Sequence, residues 1–325
     1  MTKTLILSHD DVEALLTMPE CIAAMEGAME ALAKGDVCNP LRSIVRPERA
    51  DGFLGLMPAY KGGSNPAYGL KEICLFPGNP ARGLDTHLGA VLLHSGVTGE
   101  LLAVINASAV TAIRTAAMSA VATKLLARDD AQTLAILGAG VQARSHLQAI
   151  PHVRKIREIR IASRTPAKAK ALAAGFDNAH VAESIEEAVR GADIIVTATS
   201  SREPVVRREW VANGAHINAV GSSVASAREL DAATVAAASL FVDRRESTVN
   251  ESGDYLMALR EGAITGPGHI RAELGEILTG QAPGRTSRDE ITLFKSLGVA
   301  IEDLAAAQFL FEKARSDGGG TWVDF

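Results

Sequence analysis

The sequence predicts an α/β protein: a Rossmann-type, doubly wound parallel sheet joined to a discontinuous α+β domain. Three observations carry that reading. From about residue 130 onward, apolar strands alternate with helices, the rhythm of a parallel sheet covered on both faces. The first strand of that series runs into Gly138-Ala139-Gly140. Before it, short strand-like runs are separated by Gly, Pro and Asn clusters, which read as hairpin turns.

The elements follow in order. TLILSHDDVEALL is a short strand and then a helix capped near Ser8 or Asp10. PECIAAMEGAMEALAKG is an amphipathic helix that Gly35 stops. LRSIVRP, GFLGLMPAY, YGLKEICLF, LGAVLLHS and LLAVINA are strands, and AVTAIRTAAMSAVATKLLA is a long helix whose small residues permit close packing. The parallel series is TLAILG, EIRIAS, ADIIVTAT, HINAVG, SLFVD and ITLFKS, with helices including PAKAKALAAGF and SIEEAVRG between them. The last helix, IEDLAAAQFLFEKARS, is expected to pack back on the first domain. That makes residues 1–125 with 300–325 one domain and 126–299 the dinucleotide-binding one.

Composition narrows the function. With 325 residues, 47% hydrophobic and 22% charged, the chain has the make-up of a globular protein. A net charge of −5 with no basic block argues against a nucleic-acid partner. No apolar stretch approaches about 20 uninterrupted residues, so no membrane span is expected, and the N-terminal apolar run is too short for a signal peptide. Cys21, Cys38 and Cys74 are scattered without metal-ligand spacing, which fits a reducing cytoplasm and buried, inert thiols. No His/Cys cluster suggests a metal, and no G-x-S-x-G elbow suggests an acyl hydrolase.

Gly138-Ala139-Gly140-Val141-Gln142-Ala143 fits G-x-G-x-x-G/A. The first glycine makes the tight turn, the second lets the backbone approach a pyrophosphate, and the small last residue lets helix and strand pack closely. The helix that follows offers free N–H groups and a partial positive charge to phosphates. The end of the next strand selects the cofactor. An acidic residue there would bind the ribose 2′-hydroxyl of NAD; this chain instead has Ser163, Arg164 and Thr165, with Lys168 one turn on. Arg164 can stack on adenine and pair with a 2′-phosphate, and the hydroxyls can donate to it. The turn predicts NADP(H) as the preferred cofactor, with NAD(H) possible.

GFLGLMPAY, TAIRTAAMSAVATK, LGAGVQARSH, GAHINAVGSS, AELGEILTG and FKSLGVAIEDLAAA together resemble the ornithine cyclodeaminase/mu-crystallin family over almost the full chain. The resemblance implies an N-terminal substrate and dimerisation domain, a Rossmann domain, a homodimer, and chemistry at the C–N bond of amino or imino acids. Cyclodeaminases carry an aspartate shortly after the AVG strand end and a glutamate just before LMP. Here those places hold Ser223 and Gly55. Both departures, with the Arg164 turn, match the mu-crystallin-like ketimine reductases instead.

The resemblance also implies the site. Arg42 and Arg114 match the family's carboxylate and cofactor arginines, a planar guanidinium being suited to gripping a carboxylate in two places. Arg46 is a weaker candidate. Lys71 matches the catalytic lysine, and burial beside arginines should lower its pKa toward neutrality and make it a usable proton donor. His87 matches a cofactor-site histidine, and Thr115 is placed to bind pyrophosphate. Thr199 and Ser200 close one strand, and Val220, Gly221 and Ser223 the next, at the edge where a nucleotide lies; Ser296 and Leu297 should edge the nicotinamide. Glu251 with Asp254, and Glu273 with Glu276, are carboxylate pairs that read mostly as solvated helix faces, although Glu251 lies near the family's substrate pocket. His146 reads as packing or exposed. The expected function is NAD(P)H-dependent reduction of small cyclic ketimines such as Δ1-pyrroline-2-carboxylate or Δ1-piperideine-2-carboxylate. The alternatives are an ornithine cyclodeaminase, an open-chain amino acid dehydrogenase such as one for alanine, and a non-enzymatic NADPH-dependent small-molecule binder.

Overall fold

A computed structural model describes residues 3–325; Met1 and Thr2, the start of the expected first domain, lie outside the described residues. The chain begins β1 (Lys3–Leu7), α1 (His9–Leu15), α2 (Met18–Ala33), β2 (Val37–Cys38), β3 (Ser43–Val45) and β4 (Phe53–Lys61). It continues through β5 (Ala67–Leu75), β6 (His87–Ser95), β7 (Leu101–Asn106) and α3 (Ala107–Leu126). Next come β8 (Thr133–Leu137), α4 (Val141–Ala149), β9 (Glu158–Ala162), α5 (Pro166–Ala173), β10 (Ala179–Val181) and α6 (Ile185–Val189). Then follow β11 (Ile194–Thr197), β12 (His216–Ala219), α7 (Ala232–Ala237), β13 (Ser239–Val242), α8 (Arg245–Glu251) and α9 (Gly253–Arg260). The last elements are β14 (Ile270–Glu273), α10 (Leu274–Leu278), β15 (Thr292–Lys295), α11 (Ala300–Asp317) and β16 (Thr321–Asp324). Two units result: Met1–Arg114 with Val299–Phe325, and Thr115–Gly298.

The first unit is a mixed sheet in the order β16-β1-β7-β6-β5-β4-β2, with β3 beside β4. β1 pairs with β7 in parallel; β4 to β7 form antiparallel neighbours joined by turns. Ser8 caps α1 by accepting from Asp11 N, and the left-handed φ of +81° at Gly35 ends the α2 segment. Strand periodicity sorts the β5 side chains. Ala67, Gly69, Lys71 and Ile73 are buried on the face that α11 covers, and the residues between them are not. A Cβ on Gly69 would fall 2.9 Å from Leu304, so glycine is what lets α11 lie this close.

The second unit is an all-parallel sheet in the order β10-β9-β8-β11-β12-β15-β13-β14. Alternate residues of one strand feed two cores. Leu134 and Ile136 of β8 pack with Ile159, Ile161 and Val196 on one face; Ala135 and Leu137 pack with Ile195, Ile217 and Leu293 on the other. The strand order reverses between β8 and β11, which is where an open α/β sheet binds its ligand. α3 is long and apolar enough to cross a membrane, but 72% of its apolar window is buried inside the protein, its small residues packed away.

Several short strands carry too few residues for a periodic signal and are not anticipated above: β2, β10, β14 and β16. The cysteines correct one expectation. Cys21 is buried and its thiol is pushed up to about 12 by desolvation, but Cys74 is half-buried and Cys38, on the short strand β2, is exposed.

Candidate active site

In the first unit, two strand and helix positions far apart in sequence meet in a buried charge cluster. Lys71 Nζ lies 2.8 Å from Asp303 Oδ2. Arg114 donates from Nη1 to Glu302 Oε2 at 2.7 Å and from Nε to Asp303 Oδ1 at 3.0 Å. None of the four is more than 4% exposed. Glu302 and Asp303 lie in the first turn of α11, where the helix dipole favours carboxylates, and Asn39 Oδ1 accepts from Ile301 N beside them. The two cations and two anions balance. Burial is the main influence on Lys71 and lowers its pKa to about 8; Asp303 opposes that shift, while Arg114 and Arg42 reinforce it. His87 opens β6, and its Nδ1 is 2.8 Å from Thr86 Oγ1. Desolvation and then the Lys71 charge push its pKa down.

Arg114 therefore has two of its donor groups engaged by carboxylates of its own chain. Arg42 is half-buried and near enough for its charge to act on Lys71. Arg46 is exposed and stacks on Phe53 with its guanidinium 4.5 Å from the ring centroid. The heavy atoms nearest a Cβ built at Gly55 are Ile44 Cδ1 and Ile73 Cγ2, both at 3.6 Å, and Ile73 O at 3.8 Å.

In the second unit, residues from five adjacent strand ends share the carboxyl edge of the sheet. Gly138, Ala139, Gly140, Val141 and Gln142 follow β8; Ser163, Arg164 and Thr165 follow β9; Thr199 and Ser200 follow β11. Val220, Gly221 and Ser223 follow β12, and Ser296 and Leu297 follow β15. Thr115 is buried on α3, the residue after Arg114. Gly138 has φ +121°, and a Cβ there would lie 2.3 Å from Ala198 O; at Gly140, the N-cap of α4, a Cβ would meet nothing within 4 Å. The first glycine is thus demanded by the fold and the second leaves room beside open helix N–H groups, a donor set that fits a dinucleotide pyrophosphate. Ser296 Oγ is buried without a hydrogen-bond partner among the described residues, a polar atom suited to a bound ligand. Arg164 and Lys168 are exposed and make no ion pair among the described residues, while Thr165 N donates to Ser163 Oγ.

Asp254 overturns its reading as a solvated residue. It is 3% exposed, lies 2.8 Å from Lys295 Nζ, and accepts from Glu229 N and Leu230 N, because three segments close over it. Glu273 and Glu276 are half-buried rather than solvated: Arg245 N donates to Glu273, and Arg245 Nη2 pairs with Glu276 at 2.6 Å. Glu251 is half-buried. His146 is fully buried between Gln142 O and Ser119 Oγ, and burial lowers its pKa to about 4. The reading of the sequence missed Asp303, Glu302 and Glu229. Two of them look like the ordinary acidic first turn of a helix, and only the lone positions of Lys71 and Arg114 in apolar segments hinted that buried acids must exist. Elsewhere, His9, Asp10 and Glu13 bring ligating atoms within 4.8 Å of one another, all on the exposed first turns of α1.

A family model described as the ornithine cyclodeaminase/mu-crystallin family matches residues 2–318. The ketimine reductase mu-crystallin of Mus musculus is 41% identical over 295 residues, 90% of this chain and 91% of its own. The structure of Thermococcus litoralis Δ1-pyrroline-2-carboxylate reductase in complex with NADH and L-proline superposes with a TM-score of 0.94 at 43% identity, covering 98% of this chain and all of that one. An archaeal alanine dehydrogenase dimer with bound NAD also gives 0.94, at 36% identity, with both chains fully covered.

Proposed function

The chain belongs to the ornithine cyclodeaminase/mu-crystallin family, and from that premise we propose that it reduces small cyclic ketimines bearing a carboxylate beside the C=N bond. Δ1-pyrroline-2-carboxylate and Δ1-piperideine-2-carboxylate would give L-proline and L-pipecolate. The observation that carries the reading is Lys71: a buried ammonium, paired with Asp303 and flanked by Arg42 and Arg114, whose pKa of about 8 makes it an acid at neutral pH. NADH and L-proline in the Thermococcus structure fit this assignment.

When bound, the reduced nicotinamide supplies hydride to the imine carbon. Arg42 grips the substrate carboxylate, and charge-assisted bonds to a planar guanidinium fix its orientation. Lys71 Nζ delivers the proton to the imine nitrogen, and Asp303 orients Nζ. Arg114 holds Asp303 and Glu302 in place and keeps the cluster neutral. Ser223 and Gly55 stand where cyclodeaminases carry acids and bring no carboxylate of their own for a side-chain amine, which favours a reductase over a cyclodeaminase. Arg164 and Lys168, exposed at the β9 turn with Ser163 and Thr165, favour NADP(H) over NAD(H).

A homodimer is part of the same proposal. The face of the first sheet opposite α11 carries an apolar row across four strands, Pro58, Leu70, Leu92 and Val104, with Tyr68 beside it 52% exposed. Such a face is suited to a second copy of the chain.

The test is cofactor oxidation by the purified protein with five- and six-membered cyclic ketimines, pyruvate plus ammonia, and ornithine in parallel. Fastest consumption of NADPH with a cyclic ketimine is expected. Faster turnover of pyruvate plus ammonia would make it an alanine dehydrogenase, and proline from ornithine without net cofactor change would make it a cyclodeaminase.

A further inference from the structure

One buried carboxylate holds two neighbouring strand ends of the parallel sheet. Glu229, wholly buried, accepts from Thr197 Oγ1, from Thr199 N and Oγ1, and from Gly221 N, each at 2.7 Å. It approaches so closely that a Cβ on Gly221 would lie 2.4 Å from Glu229 Oε1. Behind it, Asp254 Oδ1 accepts from Glu229 N at 2.8 Å, and Asp254 Oδ2 lies 2.8 Å from Lys295 Nζ. Lys295 also donates to Ser222 O at 2.6 Å. Four donors converging on Glu229, two of them backbone N–H groups that can only donate, make the surroundings of an ionised carboxylate. Burial pushes the Glu229 carboxyl's pKa up, while Lys295 and the Thr197 and Thr199 hydroxyls act against that shift; with both acids ionised and Lys295 balancing one of them, the cluster carries one excess negative charge. Buried excess charge costs folding free energy, so its place at this edge calls for a compensating role.

β11, β12 and β15 lie across the switch point from β9 and β10, in the half of a doubly wound sheet that carries the second mononucleotide of a dinucleotide. The β9 turn, with Arg164, takes the adenosine end, which leaves nicotinamide to this half. We propose that Glu229 is a positioning residue for the nicotinamide end of the cofactor, and that its charge favours the oxidised, positively charged ring over the neutral reduced one. This rests on the cofactor reading given above. A fixed anion at a dry sheet edge acts on the ring's charge and so distinguishes the two redox forms, whereas a scaffolding residue would affect both alike. Glu229 thereby favours the state reached once hydride has left.

The experiment is calorimetric titration of the purified protein with oxidised and with reduced dinucleotide. In Glu229→Gln the ratio of Kd for the oxidised form to Kd for the reduced form should rise about tenfold. Glu229→Asp should keep the wild-type ratio even where both affinities fall. Thr197→Val, which removes a hydrogen bond and no charge, should likewise leave the ratio within about twofold of wild type. Equal weakening of both forms in Glu229→Gln overturns the proposal. If that variant does not fold by circular dichroism, Asp254→Asn must shift the ratio in the same direction, and an unchanged ratio there overturns it equally. A wild-type protein that binds neither dinucleotide would remove the cofactor reading as well, a result distinct from an unshifted ratio.

Discussion

Lys71 Nζ and Asp303 Oδ2 are 2.8 Å apart in a site where neither side chain is more than 3% exposed, and the two oppose each other's surroundings. Burial disfavours the ammonium and Asp303 favours it; the result is a pKa of about 8. Imine reduction consumes a proton, so kcat/KM for reduction should be level below about pH 8 and fall about tenfold per pH unit above it. Amino acid oxidation needs the free amine and should rise through the same pH. A pH-rate study in both directions checks this; a reductive limb near pH 10 would reject Lys71 as the acid.

Asp303→Asn removes the carboxylate that holds Lys71 charged. The lysine pKa should fall further, and the reductive limb should move to lower pH. Breaking a buried ion pair should also cost about 3–5 kcal/mol of stability, read by denaturant unfolding. Lys71→Met should reduce kcat about a thousandfold while dinucleotide binding persists. An unmoved limb in Asp303→Asn would show that the two groups do not titrate together.

The two glycines of the turn should separate folding from affinity. Gly138→Ala places a Cβ 2.3 Å from Ala198 O on a φ of +121°, and should destabilise the protein by about 1–3 kcal/mol. Gly140→Ala meets no protein atom within 4 Å, so thermal unfolding without cofactor should be unchanged while the cofactor Kd rises about tenfold or more. Equal thermal losses in both variants would contradict the assignment.

Arg164→Ala should lower the NADPH:NADH ratio of kcat/KM by about tenfold, mostly through KM for NADPH. Steady-state kinetics with each cofactor decides it. A ratio that stays put would leave the β9 turn without a role in selecting phosphate.

His146 makes stability depend on pH. Its folded pKa of about 4 lies below the ordinary histidine value of 6.5, so the unfolded chain binds more protons as the medium is acidified. The stabilising effect of the neutral ring is complete above 6.5 and is lost as pH falls toward 4, where the penalty reaches about 3 kcal/mol. His146→Gln should flatten that slope in urea unfolding at pH 7.5 and pH 5; parallel slopes would count against it.

Local pattern was enough for much of this molecule. YGLKEICLF reads as a strand, and in the structure its alternation buries Lys71 on the same face as Gly69 and Ile73. Ser8 and Gly35 mark helix ends through their own side-chain and backbone chemistry. The Gly138 turn is visible for the same reason: its conformation and its close approach to Ala198 are requirements on one residue. Asp254 misled because a carboxylate on a short helix looks solvated unless the segments that cover it are known.

By itself, then, the sequence determined what depends on neighbours along the chain: the strand and helix rhythm, the glycine turn after β8, and the presence of a cation inside an apolar strand. Only the tertiary structure decided which acids meet the cations. Asp303 reaches Lys71 and Arg114 from the far end of the chain, and Glu229 ties together strand ends that adjoin only in the folded sheet. The physical reason is that a charge can be buried only against a partner. That partner is fixed by packing between distant segments, which no local spacing records.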